Sequence, residues 1–276
     1  MTAGPTSDGA AASAPQADLT GWTPAAFTAH GITHDVYSKG SGPGVVLIPE
    51  MPGLHPGVLA LGNHLVDHGF TVAAPSLYGT PGAAAMTPAA LAVLVRGCVS
   101  REFAAFATNA ERPVAHYLRA LARDLNARTP GKGVGVIGQC FSGGFALAAA
   151  VDDSVLAPVL SQPSLPLPLT PTQRRDPGLS ERELRIVKRR TETDGLCALG
   201  LRFSEDAMSP GERFATLKER LGDAFECIEI NSAKGNPDGL GRMAHSVLTD
   251  QVRERDGHPA YEARKRMTQF LIDRLC

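Results

Sequence analysis

Short apolar runs alternate with stretches of helical spacing along most of the chain. GVVLIPE (44–50) is an uninterrupted β-branched run of the kind that forms a buried strand, and the turn-rich MPGLHPG follows it. Residues 55–68 then read as a helix that stops at Gly69 in DHGF, and FTVAAP (70–75) predicts the next strand. ITHDVYS (32–38) has the look of an edge strand.

Further along, Thr87 is a candidate N-cap with Pro88 at the first helical position, and a second helix is predicted over 111–127, with Leu118, Leu121 and Leu125 on one face. GVGVIG (133–138) predicts a strand, 141–151 a helix, VLAPVLSQP another strand, and CALGLRF (197–203) a further one. Ser209-Pro210 opens a helix to about Leu221, AFECIEIN (224–231) is strand, and 258–275 is a closing amphipathic helix with Tyr261, Met267, Phe270 and Leu271. Alternation of this kind implies a mainly parallel sheet with helices on both faces.

Composition narrows this picture. Residues 1–25 are dominated by Ala, Ser, Thr, Pro and Gly with almost nothing to bury, which predicts a disordered tail without the marks of a signal peptide. Residues 26–276 are expected to form a single α/β domain with an insertion at 161–196, Pro-rich and then basic, that either caps a pocket or forms a solvated helix. A net charge of −1 gives no general attraction to nucleic acid or anionic membrane, and no apolar run is long enough to span a bilayer. Five widely spaced cysteines with no CxxC pair suit a reducing cytosol better than a disulfide framework or a zinc site. A monomer or small homo-oligomer is expected.

The candidate chemistry starts at VGVIGQCFSGGFALAAA (134–150). A strand, then small–x–nucleophile–x–small, then a helix is the nucleophile-elbow pattern, met by Gly138-Gln139-Cys140-Phe141-Ser142. The nucleophile sits on a strained turn, so bulky neighbours two residues away would collide. A helix starting under the sulfur favours thiolate, and the Phe141 N–H points where an oxyanion would form. A packed, inert cysteine is the competing reading. Dinucleotide binding is a third, but the GxGxxG registers here precede or lie within the strand.

A thiol nucleophile needs a base, and the base an orienting acid. The strand CALGLRF runs into SEDAMSP, which offers Glu205 and Asp206, and the loop after AFECIEIN delivers His245. Nucleophile, acid, histidine is the chain order of α/β-hydrolases. Asp206 in a turn ahead of a helix, or His245 as an ordinary loop residue, are the plainer readings. Glu50 ends a buried strand, where burial would raise its pKa and let it accept a thiol proton; a strand-end residue that reaches water is the alternative. His55 lies close to Glu50 in sequence and either lines a site or faces solvent. His64 and His68 are one helical turn apart, but HLVDH lacks the zincin glutamate and a third ligand, so no metal site is expected.

Together these stretches resemble the dienelactone hydrolase family of α/β-hydrolases. GQCFSGGFALA is similar to its cysteine elbow, and VVLIPEMPGLHPGVLALGNHLVDHGFTVAAPSLYG to the segment from the strand-end glutamate to the Leu-Tyr after the next strand. EDAMSP resembles the acid loop and AHSVLT the histidine loop. The resemblance implies an α/β-hydrolase fold and a Cys140–His245–Asp206 triad, with Glu50 managing the thiol proton. It also implies an oxyanion hole from the Met51 and Phe141 N–H groups, and a small-molecule lactone or carboxylic ester substrate cleaved through a thioester without cofactor or metal.

The chain departs from the family pattern at Ser142, an extra residue before Gly143-Gly144, and at Thr249, where the family has an arginine that holds a substrate carboxylate. Arg101, and after it Arg96, are the candidates for that role. Two other readings compete. One is a non-catalytic binding or redox-sensing protein on a hydrolase fold. The other is a glutamine amidotransferase-like amidase, whose His-Pro-Glu is here His258-Pro259-Ala260.

Overall fold

The computed structural model describes residues 13–84 and 88–276, so the first dozen residues of the expected tail and the expected N-cap Thr87 lie outside it. Eight strands form one sheet: β1 (Thr23–Ala29), β2 (Ile32–Lys39), β3 (Gly44–Ile48), β4 (Thr71–Pro75), β5 (Val134–Gln139), β6 (Val155–Ser161), β7 (Ala198–Phe203) and β8 (Phe225–Ile230). Their order is β1-β2-β4-β3-β5-β6-β7-β8. Pairing is antiparallel for β1–β2 and β2–β4 and parallel everywhere else. This is the mainly parallel sheet that the alternation predicts, in the α/β-hydrolase arrangement that the resemblance implies.

Every residue of β3, β4, β5 and β7 is buried, which explains why these strands read as continuous apolar runs. Helices α1 (Pro56–Asp67) and α8 (Pro259–Leu275) contribute to the core on one face. On the other, the core takes in α3 (Pro113–Arg128), α4 (Phe145–Ala149), α6 (Glu181–Thr193) and α7 (Gly211–Leu221). The remaining helices are α2 (Pro88–Val99) and the short α5 (Pro171–Arg175).

Strand β1 was not legible as an apolar run. It is set by His30-Gly31, two residues with φ of 53° and 76° that turn the chain back so that Ala29 pairs with Ile32 and Thr23 with Ser38. The expected disordered stretch therefore ends early. Trp22 is buried against α1, the Ala17 N–H donates to the Pro56 carbonyl, and residues 23–25 already belong to the sheet.

The segment 161–196 is built into the body. Helix α6 buries Glu183, Leu184, Val187 and Arg190 and keeps its remaining basic residues outward, so it is a covering helix and not a free one. The fully buried Arg213 of α7 donates to the carbonyls of Pro163, Pro166, Gln173 and Asp176 at 2.5–3.0 Å. It thereby fastens the Pro-rich half. Arg213→Met would leave these carbonyls without their donor and should cost about 3–5 kcal/mol, read as a lower denaturant midpoint. A midpoint within error of the parent would show that the carbonyls find other partners.

Candidate functional site

The register of the parallel strands sets residues just beyond their ends side by side. Ile48 pairs with Gly138, Gln139 with Ser161, Ser161 with Leu201, and Phe203 with Ile230. Glu50, Cys140, Gln162 and Asp206 therefore gather at the carboxyl edge, where open α/β sheets place their clefts. The loop after β8 brings His245 to the same place, against Asp206.

Cys140 has φ 50°, a left-handed conformation that a non-glycine residue adopts only under constraint. The neighbours show the constraint. A Cβ on Gly138 would sit 2.4 Å from the Ser142 carbonyl oxygen, and one on Gly143 would sit 2.5 Å from Pro163 Cα. The Ser142 hydroxyl is fully buried, 2.9 Å from the Pro49 carbonyl oxygen and 3.0 Å from that of Gln139, and it accepts from the Gln139 N–H at 3.1 Å. Ser142 is thus a brace between the elbow and the end of β3. The expected helix over 141–151 is shorter: residues Cys140–Ser142 form a 3-10 turn, and α4 covers only Phe145–Ala149. The turn is wound tightly where Gly143 lets the backbone pass close to Pro163.

His245 Nδ1 lies 2.7 Å from Asp206 Oδ2. The other carboxylate oxygen, Oδ1, accepts from the N–H groups of Met208 and Ser209 at 3.0 and 3.3 Å, so Asp206 is clamped by its own turn. The two loops are tied together, because the Ser232 hydroxyl accepts from the Glu205 N–H and the Ser204 hydroxyl from the Ser232 N–H. Burial alone would lower the pKa of His245, but the Cys140 sulfur and the Asp206 carboxylate outweigh it and push the imidazole up to about 11. On the sulfur's other side, the Ser164 hydroxyl lies 3.8 Å away and the Ser164 N–H donates to the Cys140 carbonyl at 2.9 Å.

Glu50 is buried, as expected of a strand-end carboxylate facing inward, but its environment is different from the one anticipated. It accepts from Ser246 Oγ at 2.7 Å, from Gln162 Nε2 at 3.1 Å and from the Thr249 hydroxyl, and it faces His55 Nε2 at 3.3 Å. Burial opposes ionisation, yet His55 first, then Thr249 and Ser246, outweigh it and hold the carboxyl below its usual range. The expected rise in pKa is therefore overturned, because a fully surrounded carboxylate trades water for protein donors. His55 is buried as well, and its Nδ1 accepts from the Gly57 N–H at 3.1 Å.

Met51 and Phe141 come together near α2: a Cβ on Gly97 would lie 2.4 Å from Met51 Cε and 3.5 Å from Phe141 Cζ. A cavity of about 570 Å³ opens beside them, lined by Leu77, Tyr78, Val93, Arg96, Gly97 and Phe103 among others. Arg96 is at this cavity, whereas Arg101 is exposed and outside its lining. The Tyr78 hydroxyl donates to the Pro49 carbonyl; burial pushes its phenol well up, and the Cys140 charge adds to this. His64 stacks on His68 and lies 2.9 Å from the Thr268 hydroxyl, and burial lowers its pKa to about 3. Among the described residues there is no group of three or more His, Cys, Asp or Glu side chains placed to hold a metal ion, nor a helix long and apolar enough to cross a membrane.

Sequence reasoning missed Gln162, Ser164 and Ser246 as members of this cluster and marked Thr249 only as a departure at the family's arginine position. Gln162 carries a signal only in the backbone, a φ of 35° directly after β6.

The profile of the dienelactone hydrolase family matches residues 32–175, just over half of the chain. No curated protein matches. Among solved structures, the chain is similar to a putative dienelactone hydrolase from Klebsiella pneumoniae subsp. pneumoniae MGH 78578 (18% identity, TM-score 0.60, covering 91% of this chain and 98% of that one). It is also similar to P91, a dienelactone hydrolase-like promiscuous phosphotriesterase from metagenomic libraries (17% identity, TM-score 0.62, 92% and 98%). A third is a cold-adapted esterase from an Arctic intertidal metagenomic library (14% identity, TM-score 0.56, 92% and 93%). At these identities the likeness is one of fold.

Proposed function

The chain belongs to the dienelactone hydrolase family, and from that premise we propose that it hydrolyses a lactone or carboxylic ester through Cys140, His245 and Asp206. The observation that carries this reading is the left-handed Cys140 beside an imidazole that is itself held at 2.7 Å by Asp206.

The sulfur attacks the substrate carbonyl, and the electron pair moves onto the oxygen. The N–H groups of Met51 and Phe141 receive this oxyanion, each donor being worth about 3–4 kcal/mol of barrier. His245, protonated, gives its proton to the departing alkoxide; in a lactone that alkoxide stays tethered as the ring opens. The same imidazole then draws a proton from water as it attacks the thioester, and Cys140 is released. Asp206 fixes the ring so that Nε2 faces the reacting atoms. Arg96 is the group that attracts a substrate carboxylate; its position in the lining of the cavity beside Tyr78, where Arg101 is not, supports this reading. The partner is a small molecule.

Trapping tests the reading. Protein quenched in acid during turnover of p-nitrophenyl acetate should carry an acetyl group on the peptide containing Cys140. Turnover with no acyl mark on that peptide would remove the thioester route.

A further inference from the structure

Two charged side chains line the cavity of about 570 Å³ beside the elbow: Arg96, on α2, and Glu102, on the segment between α2 and α3. Among the described residues no ion pair joins them, and His34 is the one ion-pair partner of Glu102. The rest of the lining is neutral, with the rings of Tyr78 and Phe103 and the side chains of Leu77 and Val93 supplying most of its apolar part. Opposite charges held apart in a partly dehydrated pocket draw in the complementary groups of a ligand.

Glu102 is fixed before any ligand arrives. Its Oε1 lies 3.0 Å from Nε2 of His34 on β2, and the Tyr117 ring packs edge-on against the His34 ring with centroids 5.5 Å apart. The Glu102 N–H donates to Ser100 Oγ at 3.2 Å, and its carbonyl accepts from the Val114 N–H at 3.3 Å. The carboxylate is thus held by one oxygen, while Oε2 has no partner among the described residues. Phe103, the next residue, packs edge-on against both Tyr78 and Phe141, with centroids 5.7 and 5.4 Å apart. The segment that carries Glu102 is thereby tied to the residue that follows Cys140. A free carboxylate oxygen next to aromatic rings suits a cation, which the oxygen attracts by charge and the rings by their π-faces.

We propose that Glu102 is a specificity-determining residue that receives an ammonium group, so that the substrate is an amphoteric ester or lactone. Its carboxylate goes to Arg96 and its ammonium to Glu102. The proposal rests on the hydrolytic reading of the site. Glu102 makes and breaks no covalent bond; it selects and orients. A neutral analogue of the same shape would strip water from the carboxylate and return nothing for it, and this is the source of the discrimination.

The test is calorimetric titration with ω-trimethylammonio carboxylic acids that have two to five methylenes between the charges. Each is paired with its carbon isostere, in which tert-butyl replaces trimethylammonio. The parent should bind the best-fitting amphoteric acid about tenfold or more tighter than its isostere. Glu102→Gln, whose amide oxygen still accepts from His34, should bind the two members of that pair nearly equally. Arg96→Gln should weaken both members by the same factor. Each variant is read as a ratio of two affinities on one preparation, so a partly unfolded sample does not imitate the result. A parent ratio near one throughout the series, no binding of any member, or a ratio unchanged in Glu102→Gln overturns the proposal.

Titration needs no turnover, so the two readings fail separately. Turnover without an acyl mark on the Cys140 peptide refutes the thioester route, whereas the affinity ratio alone decides the role of Glu102.

Discussion

Turnover of p-nitrophenyl acetate should fall by on the order of 10⁴-fold or more in Cys140→Ala, leaving only what the oxyanion donors and binding contribute. The loss should appear in kcat, with KM little changed, because Cβ and the backbone turn remain. The alternative hydroxyl in the elbow offers no rescue. Ser142 faces the carbonyls of Pro49 and Gln139 and is fully buried, so freeing it would unlock the turn that positions residue 140. Residual activity above about a hundredth of the parent would mean that another group attacks the ester.

Asp206→Asn should cost a comparable amount, about 10⁴-fold in kcat. The new amide can still accept through its oxygen from Met208 and Ser209, so the loop keeps its shape. Its NH2 group, however, now donates to Nδ1 of His245, which puts the ring hydrogen on Nε2 and leaves that nitrogen unable to take the thiol proton. The ring also loses the carboxylate that helps hold its pKa near 11. Circular dichroism should show an unchanged fold while kcat collapses. If kcat stays within tenfold of the parent, Asp206 is a turn residue and does not orient the base.

Residue chemistry made part of this site legible without coordinates. Cysteine between small residues, an acid after one strand and a histidine after the next are rare types in positions with few other uses, and the buried strands that carry them are unbroken apolar runs. The remainder is built from neutral polar side chains. Gln162, Ser164 and Ser246 read as ordinary loop residues, and Thr249 only as a departure from the family's arginine, until the fold brings them to Glu50 and Cys140. Glu50 shows the same limit from the other side. Its place at the end of an apolar run pointed to burial without excluding an exposed strand end, and the sign of its pKa depends on donors from His55, Ser246 and Thr249, whose contacts with it no sequence pattern specifies. Strand β1 escaped notice because TPAAFTA has no apolar period; its pairing is dictated by a two-residue turn and by the partner strand.

The order in which the site's parts occur along the chain has a bearing on synthesis. A growing polypeptide displays Cys140 about a hundred residues before His245 exists, and the β8 strand that precedes the histidine loop is the last of the eight in chain order. Until that loop has emerged and settled on Glu50, the sulfur has no imidazole beside it, and the proposed reaction has no base. The chemistry proposed for Cys140 is thereby withheld from the unfinished chain.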